Sequence, residues 1–133
     1  ITEAAHLFCE EITIRSIQKA REIYKKGGLR LKLEKYHGDN TDCAFHGWND
    51  VWLVSGFKNW NIEEYLPGIK VPMLAIQGEN DKYGTYEQIA SIVRHVRSEV
   101  EIQLLPDCGH SPHQEQREAT FQVMKNFISR VFS

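Results

Sequence analysis

What most limits the possible folds is the local grammar after Pro67. Residues 71–77 form a short apolar run, closed by the loop Gly78-Glu79-Asn80-Asp81. Residues 86–96 carry Ile89, Ile92, Val93 and Val96 at helical spacing. Residues 100–105 form a second short run, ended by Pro106 and followed by a loop over 107–112. A helical stretch begins at about Arg117, with Ala119, Val123, Phe127 and Val131 recurring every four residues and Met124 and Ile128 widening the stripe. Strand, helix, strand, helix predicts a βαβ unit, and hence parallel strands. Parallel strands need neighbours at their edges and helices on both faces. One further stretch, Leu29, Leu31 and Leu33, alternates like a strand, but its charged neighbours favour helix equally. The expectation is an α/β fold whose sheet is completed by residues outside these 133. An edge of 71–77 or 100–105 should then lack its natural neighbour, and such edges pair with other chains.

Before Pro67 the signals are helical and aromatic. Thr13 is placed to cap a helix with Ile14, Ile17 and Tyr24 on one face, and Gly27-Gly28 ends it. A second amphipathic stretch has Ala44, Phe45, Trp48, Val51 and Trp52 on one side. Asn61, with Glu64 three residues on, reads as a capping-box-like start for 62–66. The expected division is a helical segment, 1–66, and a βαβα part, 67–133. A chain of this length can bury about 68–70% of its unfolded surface. Its 41% apolar and 26% charged residues exclude disorder. No run approaches the about 20 apolar residues of a membrane helix. The net charge of −2 comes from mixed signs, with no basic block for nucleic acid and no acidic tail. Three cysteines, Cys9, Cys43 and Cys108, are too few and oddly numbered for a disulfide framework. A reducing, cytoplasmic compartment is therefore expected. The chain begins at Ile1, and Glu3, His6 and Glu10 interrupt any signal-like apolar core. The expectation is a piece of a longer chain.

Both loops follow the carboxyl ends of their strands, where ligands and catalytic groups collect in open α/β sheets. The first presents Asp81 and the second His110, 29 residues on, which fits one helix and one strand between them. A carboxylate that orients an imidazole leaves the other ring nitrogen as a general base. Other readings stand beside this one. Asp81 fits a plain post-strand turn, and His110 a plain loop. Glu79 and His113 compete for the same roles. Glu115 reads as a first-turn helix carboxylate. Cys108, His110 and His113, with Cys43 and His46, contain zinc-ligand types but match no standard zinc spacing. Ser55 and Ser111 lack the setting of a nucleophile. The aromatics Phe45, Trp48, Trp52, Phe57 and Trp60 serve either as packing or as an apolar wall over a site. His37 and His46 read as surface residues.

Ile69-Lys70-Val71-Pro72-Met73-Leu74-Ala75-Ile76-Gln77-Gly78-Glu79-Asn80-Asp81 resembles the acid-bearing strand of the α/β-hydrolase fold family. Leu104-Leu105-Pro106-Asp107-Cys108-Gly109-His110-Ser111-Pro112-His113 resembles its histidine loop, and Gln114-Glu115-Gln116-Arg117 with the closing helix also match. Residues 1–65 are similar, less specifically, to its helical cap and the return segment after it. The family's triad runs nucleophile, acid, histidine along the chain. By position the resemblance makes Asp81 the acid and His110 the base. It implies a C-terminal half, because no two of the nine glycines stand four positions apart. A G-x-S-x-G nucleophile elbow is therefore absent from these residues, and with it half of the oxyanion hole. The function implied is the acid–base half of a serine hydrolase acting on a small carboxylic ester or similar carbonyl substrate. Trp48, Trp52, Phe57 and Trp60 would contact that substrate. The N-terminal half of the same hydrolase is the expected partner, and no metal or organic cofactor is needed for this chemistry. An aspartate nucleophile, giving a dehalogenase or epoxide hydrolase, stays open, as do a non-catalytic binding domain and an inactive fragment.

Overall fold

A computed structural model describes all 133 residues. In chain order the elements are strand β1 (Thr2–Glu3), helices α1 (Glu11–Lys25), α2 (Gly28–His37) and α3 (Thr41–Leu53), strand β2 (Met73–Gly78), helix α4 (Tyr86–His95), strand β3 (Val100–Leu105) and helices α5 (Pro112–Glu115) and α6 (Arg117–Val131). Short 3-10 turns span Gly38–Asn40, Ser55–Asn59 and Glu63–Gly68. The chain divides into two compact units. One is helical, Cys9–Trp60, and the other joins Ile1–Phe8 to Asn61–Ser133. The boundary expected after residue 66 and this grouping differ, because β1 pairs with β2 and so belongs with the later part of the chain.

The sheet unit has three parallel strands in the order β1-β2-β3. Its βαβα grammar is the one expected. The sheet is parallel because α4 carries the chain from the end of β2 back to the start of β3. β2 and β3 pair in full register, from Met73 opposite Val100 to Gly78 opposite Leu105. β2 lies in the middle and is buried along its whole length. Its side chains alternate between two cores. Met73 and Ala75 pack with Ile89, Ile92 and Val96 of the α4 segment, together with Leu7 and Leu66. Leu74 and Ile76 pack with Leu105, Cys108 and Phe127 of α6. Burial on both faces is why this run is continuously apolar rather than alternating.

β1 escaped the sequence reading because two residues make no pattern. It pairs Thr2 with Ala75 and Glu3 with Ile76. The neighbour expected to be missing from the 71–77 run is therefore present over this short stretch, and the sheet's outer strands are β1 and β3. Gln88 of α4 secures the segment after β1, accepting from Leu7 N at 2.7 Å and donating to Phe8 O at 3.1 Å. Phe8 bridges Asn61, and Ile62 N donates to Leu7 O at 2.7 Å. The chain thus leaves the sheet unit and re-enters it at adjoining points.

Several local expectations are corrected. Val93 is 48% exposed, and the α4 stripe closes without it. Ala119 of α6 is exposed, while Thr120 is buried and returns its hydroxyl to Gln116 O at 2.8 Å. Asn61 Oδ1 accepts from Glu63 N at 2.7 Å, an Asx turn rather than a box with Glu64.

In the helical unit, Thr13 lies buried inside α1, whose cap position is Glu10 without a side-chain cap. The ambiguous leucine stretch is helix α2, which buries no residue. Charged i, i+4 neighbours such as Arg30 and Glu34 decide for helix there. The buried face of α3 is Thr41, Phe45 and Asn49. Trp48 and Val51 are 38% and 48% exposed, so the apolar stripe read there is rotated. Tyr24 of α1 stacks on Phe45 at 3.6 Å between ring centroids. Asn49 donates to Ile17 O at 3.0 Å and accepts from Arg21 at 2.7 Å, which satisfies a fully buried amide.

Asp42 joins the three helices. It accepts from Arg30 Nη2 at 3.0 Å and from the Tyr24 hydroxyl at 2.6 Å. The Arg30 bond first, then the Tyr24 bond, hold its carboxyl down at about 2 from 3.8. The unfolded chain therefore takes up the proton first as pH falls. Its contribution to stability is complete above the unfolded value of 3.8 and is lost as pH drops toward about 2. Asp42→Asn should flatten this acid limb in thermal unfolding of the intact chain. Identical acid slopes for the two proteins would contradict the assignment.

Candidate active site

The end of β2 and the end of β3 bring two loops together. Gly78 lets them meet, since a Cβ there would lie 2.2 Å from the carbonyl oxygens of both Cys108 and Gly109. Asn80 N donates to Cys108 O at 2.8 Å, and Glu79 N to Leu105 O at 3.0 Å. These cross-loop bonds fix Asp81 on one side and His110 on the other.

Asp81 serves its own turn and its partner at once. Its Oδ1 accepts from Tyr83 N at 2.8 Å and Gly84 N at 3.4 Å. The carboxylate also holds His110 Nδ1, at 3.0 Å from Oδ1 and 2.9 Å from Oδ2. The turn reading and the paired reading of Asp81 are therefore both realised. The side chain of Asp81 is 2% exposed and that of His110 is 36%. Burial by itself would raise the Asp81 carboxyl. The His110 hydrogen bond, the Tyr83 N–H, the His110 charge and the Gly84 N–H outweigh it, and the group sits below its ordinary value. An ionised carboxylate only accepts, so Nδ1 of His110 is the donor. In the neutral ring the lone pair is then on Nε2, the nitrogen free to act as a base.

Two rings flank the imidazole. Tyr83 lies 4.8 Å away between centroids and His6 5.5 Å away. Burial, then the Asp81 charge, push the Tyr83 phenol above its ordinary value. A cleft of about 340 Å³ opens beside Asp81, lined by Gln77, Gly84, Thr85 and Tyr86 among others.

The competing residues go elsewhere. His113 is taken by Glu3, whose Oε2 lies 3.0 Å from both its N and its Nδ1. Cys108 is fully buried with its thiol against Gly109 O, and burial first, then nearby carboxylates, raise it. No group of three or more His, Cys, Asp or Glu side chains stands where it could hold a metal ion. His46 pairs with Asp50 at 3.1 Å within α3. Ser55 and His37 are exposed in the helical unit. There, Trp52, Phe57 and Trp60 form one half-buried cluster, with Phe57 and Trp60 stacked at 5.5 Å. Trp48 instead meets Phe45, at 5.9 Å. Sequence reasoning passed over Tyr83, His6 and Glu3 as neighbours of the site. It gave Glu115 only a helix-dipole role, whereas its carboxylate binds the histidine loop.

No family model matches the chain. Solved structures do. A serine hydrolase involved in carbazole degradation, the CarC enzyme, matches at 21% identity and a TM-score of 0.60, over 71% of this chain and 36% of that one. A thermophilic esterase from Thermogutta terrifontis matches at 15% identity and a TM-score of 0.58, over 98% and 55%. The enol-lactonase from Burkholderia xenovorans LB400 matches at 20% identity and a TM-score of 0.56, over 96% and 54%.

This chain carries part of the α/β-hydrolase fold.

It spans between about a third and a little over half of the length of these matched structures. The parallel sheet with helices on both faces is the fold that the residue patterns around Asp81 and His110 implied. No helix is long and apolar enough to cross a membrane.

Proposed function

We propose that this chain supplies the acid and the base of a serine hydrolase acting on a carboxylic ester or similar carbonyl. The observation that carries this reading is the buried Asp81 carboxylate on Nδ1 of a partly exposed His110. The serine comes from the N-terminal part of the fold, and the sheet continues beyond the outer edge of β1 to reach it. The serine Oγ attacks the carbonyl carbon while His110 Nε2 takes its proton. When the tetrahedral intermediate collapses, the same proton passes to the departing alkoxide. Water then attacks the acyl-enzyme by the same steps, and the serine is regenerated. Asp81 keeps the imidazole in the Nδ1–H tautomer and stabilises the imidazolium that forms. In this reading the helical unit is the fold's cap segment. Three free cysteines fit a cytoplasmic enzyme.

The test is hydrolysis of p-nitrophenyl acetate and butyrate by the chain joined to, or mixed with, the elbow-bearing polypeptide of the fold. Turnover should appear only in the combination. His110→Ala should lower kcat by about 10⁶-fold, with the dichroism spectrum unchanged. Undiminished turnover in His110→Ala would remove His110 from the reaction.

A further inference from the structure

His110 is held at its ring by Asp81. What holds its backbone is a second carboxylate. Glu115, the last residue of α5, turns back over the histidine loop. Its Oε2 accepts from Gly109 N at 2.7 Å, and its Oε1 accepts from Ser111 N at 3.0 Å. The two amides belong to the residues on either side of His110. One side chain thus satisfies two loop donors and fixes the peptide planes between which the imidazole emerges. The glycine before the histidine has the same cause. A Cβ on Gly109 would lie 2.8 Å and 2.9 Å from the two Glu115 oxygens. Gly109 has no left-handed backbone angle to explain it. It leaves room for the carboxylate.

We propose that Glu115 is a positioning residue for His110, acting through the Gly109 and Ser111 amides and not through contact with substrate. This rests on His110 being the base assigned above. Hydrogen bonds to an ionised acceptor are about twice as strong as neutral ones. Losing the carboxylate frees the backbone to rotate, and the Nδ1–H then drifts off Asp81. A displacement of about 1 Å at a catalytic group costs about 100-fold in rate.

The experiment uses the intact chain with ¹⁵N-labelled histidine and backbone amides. Wild-type protein should show a low-field proton for the His110 Nδ1–H bonded to Asp81, assigned by its loss in Asp81→Asn. In Glu115→Ala, exchange of the Gly109 and Ser111 amides should speed up about tenfold or more, and the low-field proton should broaden or vanish. Glu115→Gln keeps the length and one acceptor oxygen, and should retain part of the signal. Gly109→Ala, which displaces the carboxylate without removing it, should reproduce the Glu115→Ala spectrum. Glu118→Gln, the same charge change at an exposed position of α6, is the control and should alter neither readout. A low-field proton unchanged in both Glu115→Ala and Glu115→Gln would overturn the positioning role while leaving the Asp81–His110 pair intact. Absence of that proton from the wild type would overturn the pair itself, and the positioning role with it.

Discussion

Gly78→Ala is expected to cost the sheet unit about 3 kcal/mol of stability, the upper end of what overpacking does. The added methyl would lie 2.2 Å from two carbonyl oxygens and 2.5 Å from the Cys108 carbonyl carbon. All three are backbone atoms, so no side-chain rotation relieves the contact. The histidine loop must retreat by roughly 1 Å to reach ordinary van der Waals separation. That retreat breaks the 2.8 Å bond from Asn80 N to Cys108 O, the tie between the two loops. It also carries His110 away from Asp81. Urea unfolding should show a lowered midpoint with an unchanged slope, and the low-field His110 proton should disappear. A midpoint within experimental error of the wild type would mean that the loops do not approach so closely. Gly109→Ala offers a contrast, because the atoms its methyl meets are the end of a flexible side chain. It should cost less stability while still disturbing His110.

Asp81→Asn is expected to lower turnover by about 10⁴-fold in the combined protein, with KM little changed. The amide has nearly the same shape, so the turn survives. It is uncharged and carries an N–H₂, which can donate to Nδ1 and so favour the tautomer that puts the proton on Nε2. The base is then blocked, and the imidazolium loses its counter-charge. A drop of less than tenfold would show that Asp81 is a turn residue and nothing more. The same variant has a pH signature. The folded Asp81 carboxyl lies below its ordinary value, so the unfolded state binds the proton first as pH falls. Its stabilisation is present above the ordinary carboxylate range and is lost as pH falls through the lower folded value. Asn has no such limb. The stability difference between wild type and Asp81→Asn should therefore shrink in acid, below the ordinary carboxylate range.

The places where sequence and structure agree share a physical basis. A buried central strand must be continuously apolar and end in a loop, and 73–78 reads that way because of it, whereas 100–105, an outer strand, is half-buried and mixes Glu101 and Gln103 with its apolar residues. Helix α4 showed its period because one face meets a sheet. Asp81 and His110 stood among the candidates because each lies in a loop after a strand, at a distance that one helix and one strand fill, and the resemblance chose them over Glu79 and His113. The misreadings have causes too. Ala119 fits a four-residue period, yet Thr120 is the residue buried, because a threonine that bonds its own helix backbone can occupy an apolar face. In α3 the burial of Asn49 depends on Arg21 and Ile17, from a helix far away in sequence. No periodicity within α3 could show that. β1 is two residues long and is a strand only because β2 lies beside it.

The sequence alone determined the βαβα order and the parallel sheet, since these follow from local patterning and short-range spacing, while the choice of Asp81 and His110 over Glu79 and His113 came from the resemblance. Only the tertiary structure decided which nitrogen of His110 faces Asp81 and why Gly78 and Gly109 must be small. It alone placed Glu115 on the histidine loop and the first eight residues with the last seventy-three. Those are contacts between segments, and their energies depend on distances of a few tenths of an ångström that no local pattern encodes.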